Sequence, residues 1–393
     1  MAATEKGVWD LQDVRDKQLQ SEWSYTTDGD AGTLWGWGAN NNGDMGHNNA
    51  TDYSSPMQVG TENTWKTLSF SSRAYGANGA IKSDGTLWMM GSGVAGNLGF
   101  NQTSVMVSSP RQVGTDTDWS KLCAVYTVSA AIKTNGTLWM MGKNDGSSAG
   151  VLGQNNQTYR SSPTQVGTDT TWEKISMNTT FSFATKTDGT LWAWGDNGYG
   201  RLGLNQNTPV KISSPTQIGT DTTWNDIGVN EDNLVATKTD GTLWTWGRNN
   251  EGTLASNAPE PSMKSSPTQV GTGTDWSKAG GGYYTGHAIK TDGTMWVWGT
   301  NLNGGLGLNQ GQPTITSASS PIQIPGTTWQ TSGANYTMAG ATKTDGTLWS
   351  WGNNPSGGLG LNDTVSRSSP TQIPGTWSSQ LHVGWNNIMG IKI

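Results

Sequence analysis

Hydrophobic and polar residues alternate along this chain in short runs, broken by Gly, Asn, Asp and Ser, the period of extended strands rather than helices. In Thr190-Leu191-Trp192-Ala193-Trp194 the alternation puts both tryptophans on one side of a strand and Leu191 on the other. Both sides are apolar, which predicts a strand inside a sheet covered on both faces. The run before it ends at Lys186 and connects through Asp188-Gly189. Asp-Gly between two β-rich runs predicts a hairpin of type I′, with positive φ at both central residues. A Gly- and Asn-rich loop follows, then a strand beginning at Ser213-Ser214-Pro215, then the lone Trp224 and another short strand. That makes four strands in about 52 residues, the size of a propeller blade.

The same phrase recurs. Gly-Thr-(Leu/Met)-Trp begins at Gly32, Gly85, Gly136, Gly189, Gly241, Gly293 and Gly346. Ser-Ser-Pro-x-Gln begins at Ser54, Ser108, Ser161, Ser213, Ser265, Ser319 and Ser368, and a lone Trp follows at 65, 119, 172, 224, 276, 329 and 377. Three markers agree on seven units, numbered here by their Gly-Thr phrase. After Trp377 the sequence stops at Ile393, where another Gly-Thr-Leu-Trp is due, while Gly32–Gly38 supplies that strand at the other end. The expectation is an all-β, seven-bladed β-propeller over residues 28–393, closed by the N-terminal strand, so that no sheet edge is left at the seam.

Composition narrows the function. With 55 Gly, 22 Trp and 13% charged residues, the chain fits neither a disordered nor a helical protein. A net charge of −6 provides no global basic field, so no nucleic-acid partner is expected. Cys123 is the single cysteine, which excludes a disulfide framework and a cysteine metal cage. His47, His287 and His382 are scattered, and no metal or cofactor is expected. The N-terminal sequence shows no apolar core of a secretory leader, and no 18-residue apolar run occurs, so membrane insertion is not expected.

No catalytic constellation emerges, and the expectation is a non-enzymatic protein. Asp84, Asn135, Asp188, Asp240, Asp292 and Asp345 sit where turn chemistry accounts for them. The Gly-rich loops superficially resemble phosphate cradles but lack the Lys-Ser/Thr ending. Asn40-Asn41-Asn42 with Asp44 follows no EF-hand spacing. Lys82, Lys133, Lys186, Lys238, Lys290, Lys343 and Lys392 fall once per unit. They are expected on a solvated rim, nearly balanced by the acidic residue two positions on. Seven residues before each lysine stand Tyr75, Tyr126, Thr179, Glu231, Tyr283, Tyr336 and Trp385. Five of these seven are aromatic, and their loop should emerge opposite the Asp-Gly turns. Tyr75, Tyr126, Tyr283, Tyr336 and Trp385 are therefore candidates for an aromatic ring at a propeller mouth, stacking on a sugar or anchoring a protein. The alternative is that they pack on neighbouring loops. The fifth unit departs most from the repeat, with RNNEGTLASNAPEPSMK losing its Leu-Gly.

The phrase AIKTDGTLWxWGxNxxGxLG closely resembles the repeats of the regulator-of-chromosome-condensation family over about residues 28–393. The resemblance implies a seven-bladed propeller with the same closure. It implies nucleotide exchange on a small GTPase only at the level of fold, and this sequence has no basic tail or long insertion within a blade. Residues 1–27 stand apart. Trp9, Leu11, Val14, Leu19 and Trp23 give Asp10–Trp23 a modest apolar side, as for a short docking helix. GVWDLQDVRDKQLQSEW is similar to the leader of tail-associated structural proteins of marine bacteriophages. That resemblance implies a virion protein in a larger assembly. The arm would dock to other virion proteins, and the propeller would contact a host-surface glycan or protein. The alternative reading is a bacterial protein-binding module or inhibitor of the same fold.

Overall fold

The structure is a computed structural model that describes residues 31–71, 76–206, 210–257, 262–310 and 316–393. Seven four-stranded antiparallel sheets stand around one channel. Blade 4 shows the plan: Trp172–Met177, Phe181–Lys186, Leu191–Asp196 and Lys211–Gln217, in that spatial order. The lone Trp opens the innermost strand of every blade. The Ser-Ser-Pro strand is the outer edge, where Pro215 removes no ladder hydrogen bond and discourages edge pairing.

Closure involves more than the single N-terminal strand expected. Blade 1 takes Thr33–Gly38 and Tyr53–Gln58 from one end of the chain and Trp377–Val383 and Asn387–Lys392 from the other. The seam pairs Thr33 with Lys392, Leu34 with Ile391 and Gly38 with Asn387. Each side contributes a complete hairpin, so the seam has ladder bonds on both sides of Thr33–Gly38.

The hairpin turns also differ from expectation. At Asp188-Gly189 only the glycine has positive φ, +76°. Gly189 N donates to Lys186 O (2.9 Å) and Lys186 N to Thr190 O (3.0 Å). This is a three-residue loop with a glycine bulge, not type I′, and a single left-handed residue suffices. Asp188 Oδ1 accepts from Thr190 N (3.0 Å) and Thr190 Oγ1 (2.7 Å), and Thr190 Oγ1 accepts from Trp192 Nε1 (2.9 Å). The Asp-Gly-Thr-Leu-Trp phrase is thus a relay that aims Trp192.

The core lies between blades. Trp194 is fully buried and donates from Nε1 to Val151 O of blade 3 (2.7 Å). Trp172 lies 6.0 Å from Trp192 and 6.1 Å from Trp194, among Met140, Val151 and Leu152. Burying one such tryptophan contributes at most about 4–6 kcal/mol by area. The Gly-rich loop is the mating surface. A Cβ on Gly203 would fall 2.6 Å from Trp246 Nε1 of the next blade. Asn197 staples that loop, accepting from Leu202 N (3.0 Å) and donating to Gln206 O (2.9 Å). Asn40 does the same with Met45 N (3.1 Å) and Asn49 O (3.0 Å). These loops are scaffold.

Candidate functional site at the channel mouth

The two ends of the channel are chemically different. At the Asp-Gly end the lysines form no solvated rim. Lys186 is buried, with Nζ 4.7 Å from the Trp172 ring centroid and 3.9 Å from that of Trp192. All seven repeat lysines lie over such a Trp pair. Nor is the acidic partner the residue two positions on. Lys186 pairs with Asp169 (2.9 Å), Lys133 with Asp116 (2.7 Å) and Lys82 with Glu62 (2.6 Å). Asp188 serves its own threonine, whose hydroxyl and amide hold the carboxyl below the usual carboxylate range. The lysines bind blade to rim internally and present no basic ring to a partner.

The innermost strands enclose a channel cavity of about 250 Å³, lined in part by Phe70, Cys123, His287, Ser332 and His382. Burial holds His287 and His382 at about 4 and pushes the Cys123 thiol up to about 11. All three are neutral near pH 7, and the thiol is not an activated nucleophile. Among the described residues no three His, Cys, Asp or Glu side chains group as a metal site.

At the opposite end the inner-strand loops emerge, as expected. Tyr283, Tyr336 and Trp385 come from consecutive blades 6, 7 and 1 and meet in one cluster. Tyr336 and Trp385 lie parallel, with centroids 5.9 Å apart and planes 8° from coplanar. Tyr283 stands nearly perpendicular to both, 5.4 Å from Tyr336 and 6.3 Å from Trp385. Trp385 is 39% exposed. Tyr126 is half-buried in blade 3 and makes no ring contact with the cluster. Tyr75 lies outside the described residues, as do Trp9, Leu11, Val14, Leu19 and Trp23. Of the candidate ring residues that are described, Tyr283, Tyr336 and Trp385 form one patch.

The patch extends through residues that the repeat pattern did not single out. Tyr284 packs 4.5 Å from Tyr283 and 5.7 Å from Tyr336. Its signal was present: other units carry Gly, Thr, Asp or Asn there. Burial, followed by Tyr283 and the Asp232 and Glu231 charges, pushes the Tyr284 phenol up to about 12. Glu231 of blade 5 donates its amide to Tyr283 O (3.3 Å), and Asn178 Nδ2 holds its carboxylate (3.1 Å). Asp232 pairs with Arg201 (3.0 Å) and Arg248 (3.4 Å). Arg248 lies 4.4 Å from the centroid of Tyr199, which is 41% exposed. Tyr199 has φ +61° where blade 6 places Asn303 at +53°. Asparagine tolerates that region and a bulky aromatic seldom occupies it. The result is a continuous strip across blades 4, 5, 6, 7 and 1, made of Tyr, Trp, Arg and two acids.

The comparisons agree with this architecture. The family model of the regulator of chromosome condensation (RCC1) repeat matches residues 31–79, 188–227, 240–289 and 345–389. A second model of that repeat matches 172–201, and together they cover about half of the chain. The ultraviolet-B receptor UVR8 of Arabidopsis thaliana is 22% identical over 343 residues, 86% of this chain and 76% of the receptor. Among solved structures, Prp20p of Saccharomyces cerevisiae superposes with a TM-score of 0.78 at 16% identity, covering 93% of this chain and 94% of that one. Human WBSCR16 gives 0.76 at 19% identity, with 92% and 99% covered. With the repeat matched and the seven closed blades in place, the chain belongs to the regulator of chromosome condensation (RCC1) repeat family.

Proposed function

We propose that this chain is a non-enzymatic, protein-binding propeller whose contact surface is the channel mouth over blades 4 to 1. The observation that carries it is the gathering of Tyr199, Arg248, Tyr283, Tyr284, Tyr336 and Trp385 into one strip on one face. Tyr, Trp and Arg are the side chains that anchor protein interfaces. The relatives are compatible with this reading: the Prp20p structure is described with that protein's binding to Gsp1p and histones. Photo-crosslinking tests it. A benzophenone side chain at position 385 should trap a discrete partner from the native source, and one at position 188 on the opposite rim should not.

A finer reading rests on the leader sequence of residues 1–27. The assembly would be a bacteriophage particle, with the arm docked to other virion proteins and the mouth turned to a host-surface protein or glycan. Peptides of this chain at stoichiometric levels in density-purified particles would support it, and their absence would remove it.

A further inference from the structure

We propose that the groove between blades 5 and 6 is a second ligand site, and that its ligand is a pyranose sugar. The site is independent of the mouth, because it lies at the Asp-Gly end of the ring, beside Lys290 and its tryptophan pair.

The fifth unit departs most from the repeat, and two of its departures face this groove. Ser256 stands before the left-handed Asn257, where other units carry His, Phe, Gln or Leu. Gly273 stands three residues before the lone Trp, where units 1 to 4 carry Glu62, Asp116, Asp169 and Asp221. Both line a groove of about 580 Å³ together with Val270, Trp276, Trp296 and Pro321. The equivalent groove between blades 4 and 5, lined by Leu204, Asp221, Trp224 and Trp244, measures about 800 Å³. Wall chemistry, not size, sets the groove of blades 5 and 6 apart.

In the seam of blades 4 and 5 the Asp221 side chain fills this place, and its carboxylate pairs with Lys238. At Gly273 no side chain intervenes, and the point a Cβ would occupy lies 3.1 Å from Trp276 Nε1 and 3.3 Å from Asp275 Oδ1. Asp275 gives Oδ2 to Lys290 (3.1 Å), and its Oδ1 has no hydrogen-bond partner. Ser256 Oγ has none either. Trp276, 7% exposed, is the most exposed of the seven lone tryptophans. Buried polar atoms without partners are costly unless a ligand satisfies them. Their pattern selects the ligand. An anion meets Asp275, an ammonium meets Lys264 and Lys290, and an apolar molecule leaves Oδ1 and Oγ unsatisfied. A neutral pyranose hydroxyl donates to a carboxylate while accepting from an N–H, and its ring C–H groups suit the half-buried Trp296 indole.

Saturation-transfer NMR titrations on the full chain test this with the methyl glycosides of glucose, galactose, mannose and N-acetylglucosamine. Cyclohexanol serves as the ring without the hydroxyl pattern. At least one glycoside is expected to saturate with a Kd of about 1 mM, and cyclohexanol to bind at least about tenfold more weakly. Ser256→Leu and Gly273→Asp restore residues that the scaffold already carries at Leu204 and Asp221, so both variants should keep the unfolding midpoint of the wild type. Each should weaken the glycoside about tenfold. Failure of all four glycosides to saturate by about 50 mM overturns the inference. So does equal binding of cyclohexanol, or an unaltered glycoside affinity in both restored variants.

Discussion

Lys186 Nζ stands 3.9 Å from the Trp192 ring centroid and 2.9 Å from Asp169, seventeen residues upstream, rather than serving the Asp188 turn beside it. The lysine is therefore a blade component whose charge is balanced by two rings and an exposed acid. Lys186→Met keeps the stem and removes the charge. It should lower stability by about 1–2 kcal/mol in urea unfolding. Asp169→Asn should cost less than about 1 kcal/mol, because Asp169 is 55% exposed and screened. Equal losses in the two variants would show that the ion pair, not the rings, holds the lysine.

Two glycines with the same backbone separate packing from strain. Gly203 and Gly219 have φ of +70° and +59°. An alanine Cβ at 203 meets the Trp246 indole, and at 219 it meets nothing within 4 Å. Both alanines incur left-handed strain of about 1 kcal/mol. Gly203→Ala should lose roughly 2 kcal/mol more, since Trp246 must move in a close-packed seam. Matching melting curves for the two variants would contradict the blade-mating role of the loop.

Closure places Trp37 at full burial between blades 7 and 1, beside Trp377 at 5.4 Å. Trp37→Ala should cost about 3–5 kcal/mol. Hydrogen exchange should then show Thr33–Gly38 and Asn387–Lys392 losing protection together, because they share one ladder. Loss confined to one of the two strands would argue against a closed seam.

The seven-unit ring was legible because its signals are local. Alternation in Trp192-Ala193-Trp194 sets the strand, Asp188-Gly189 sets the turn, and the Ser-Ser-Pro phrase keeps the register. The lysine stacks were not legible, since Asp169 reaches Lys186 only when the sheet brings the outer loop beside the Trp pair. The mouth was half legible. Tyr283, Tyr336 and Trp385 share one repeat position, but Tyr199 and Arg201 join them from a loop of blade 4 and Arg248 from a strand of blade 5. No single repeat position marks those three.

Acid should destabilise the protein in two stages. His287 and His382 are held at about 4 by burial, below the usual 6.5. The unfolded chain binds their protons first, so stability is complete above about pH 6.5 and falls as pH drops toward 4. The loss is on the order of 3 kcal/mol for the buried His287. Asp84, Asp188, Asp240 and Asp292, lowered by their threonine hydrogen bonds, add their loss only below about pH 4. Urea midpoints that stay level between pH 7 and pH 4.5 would refute the histidine assignment.

The central claim is that the mouth strip is a contact surface and not a structural plug. The direct measurement compares wild type with the triple variant Tyr283→Ala, Tyr336→Ala, Trp385→Ala for both retention of the crosslinked partner and thermal unfolding. The account predicts that partner retention falls at least tenfold while the unfolding midpoint shifts by only a few degrees. A collapsed midpoint, or full retention of the partner by the triple variant, would contradict it.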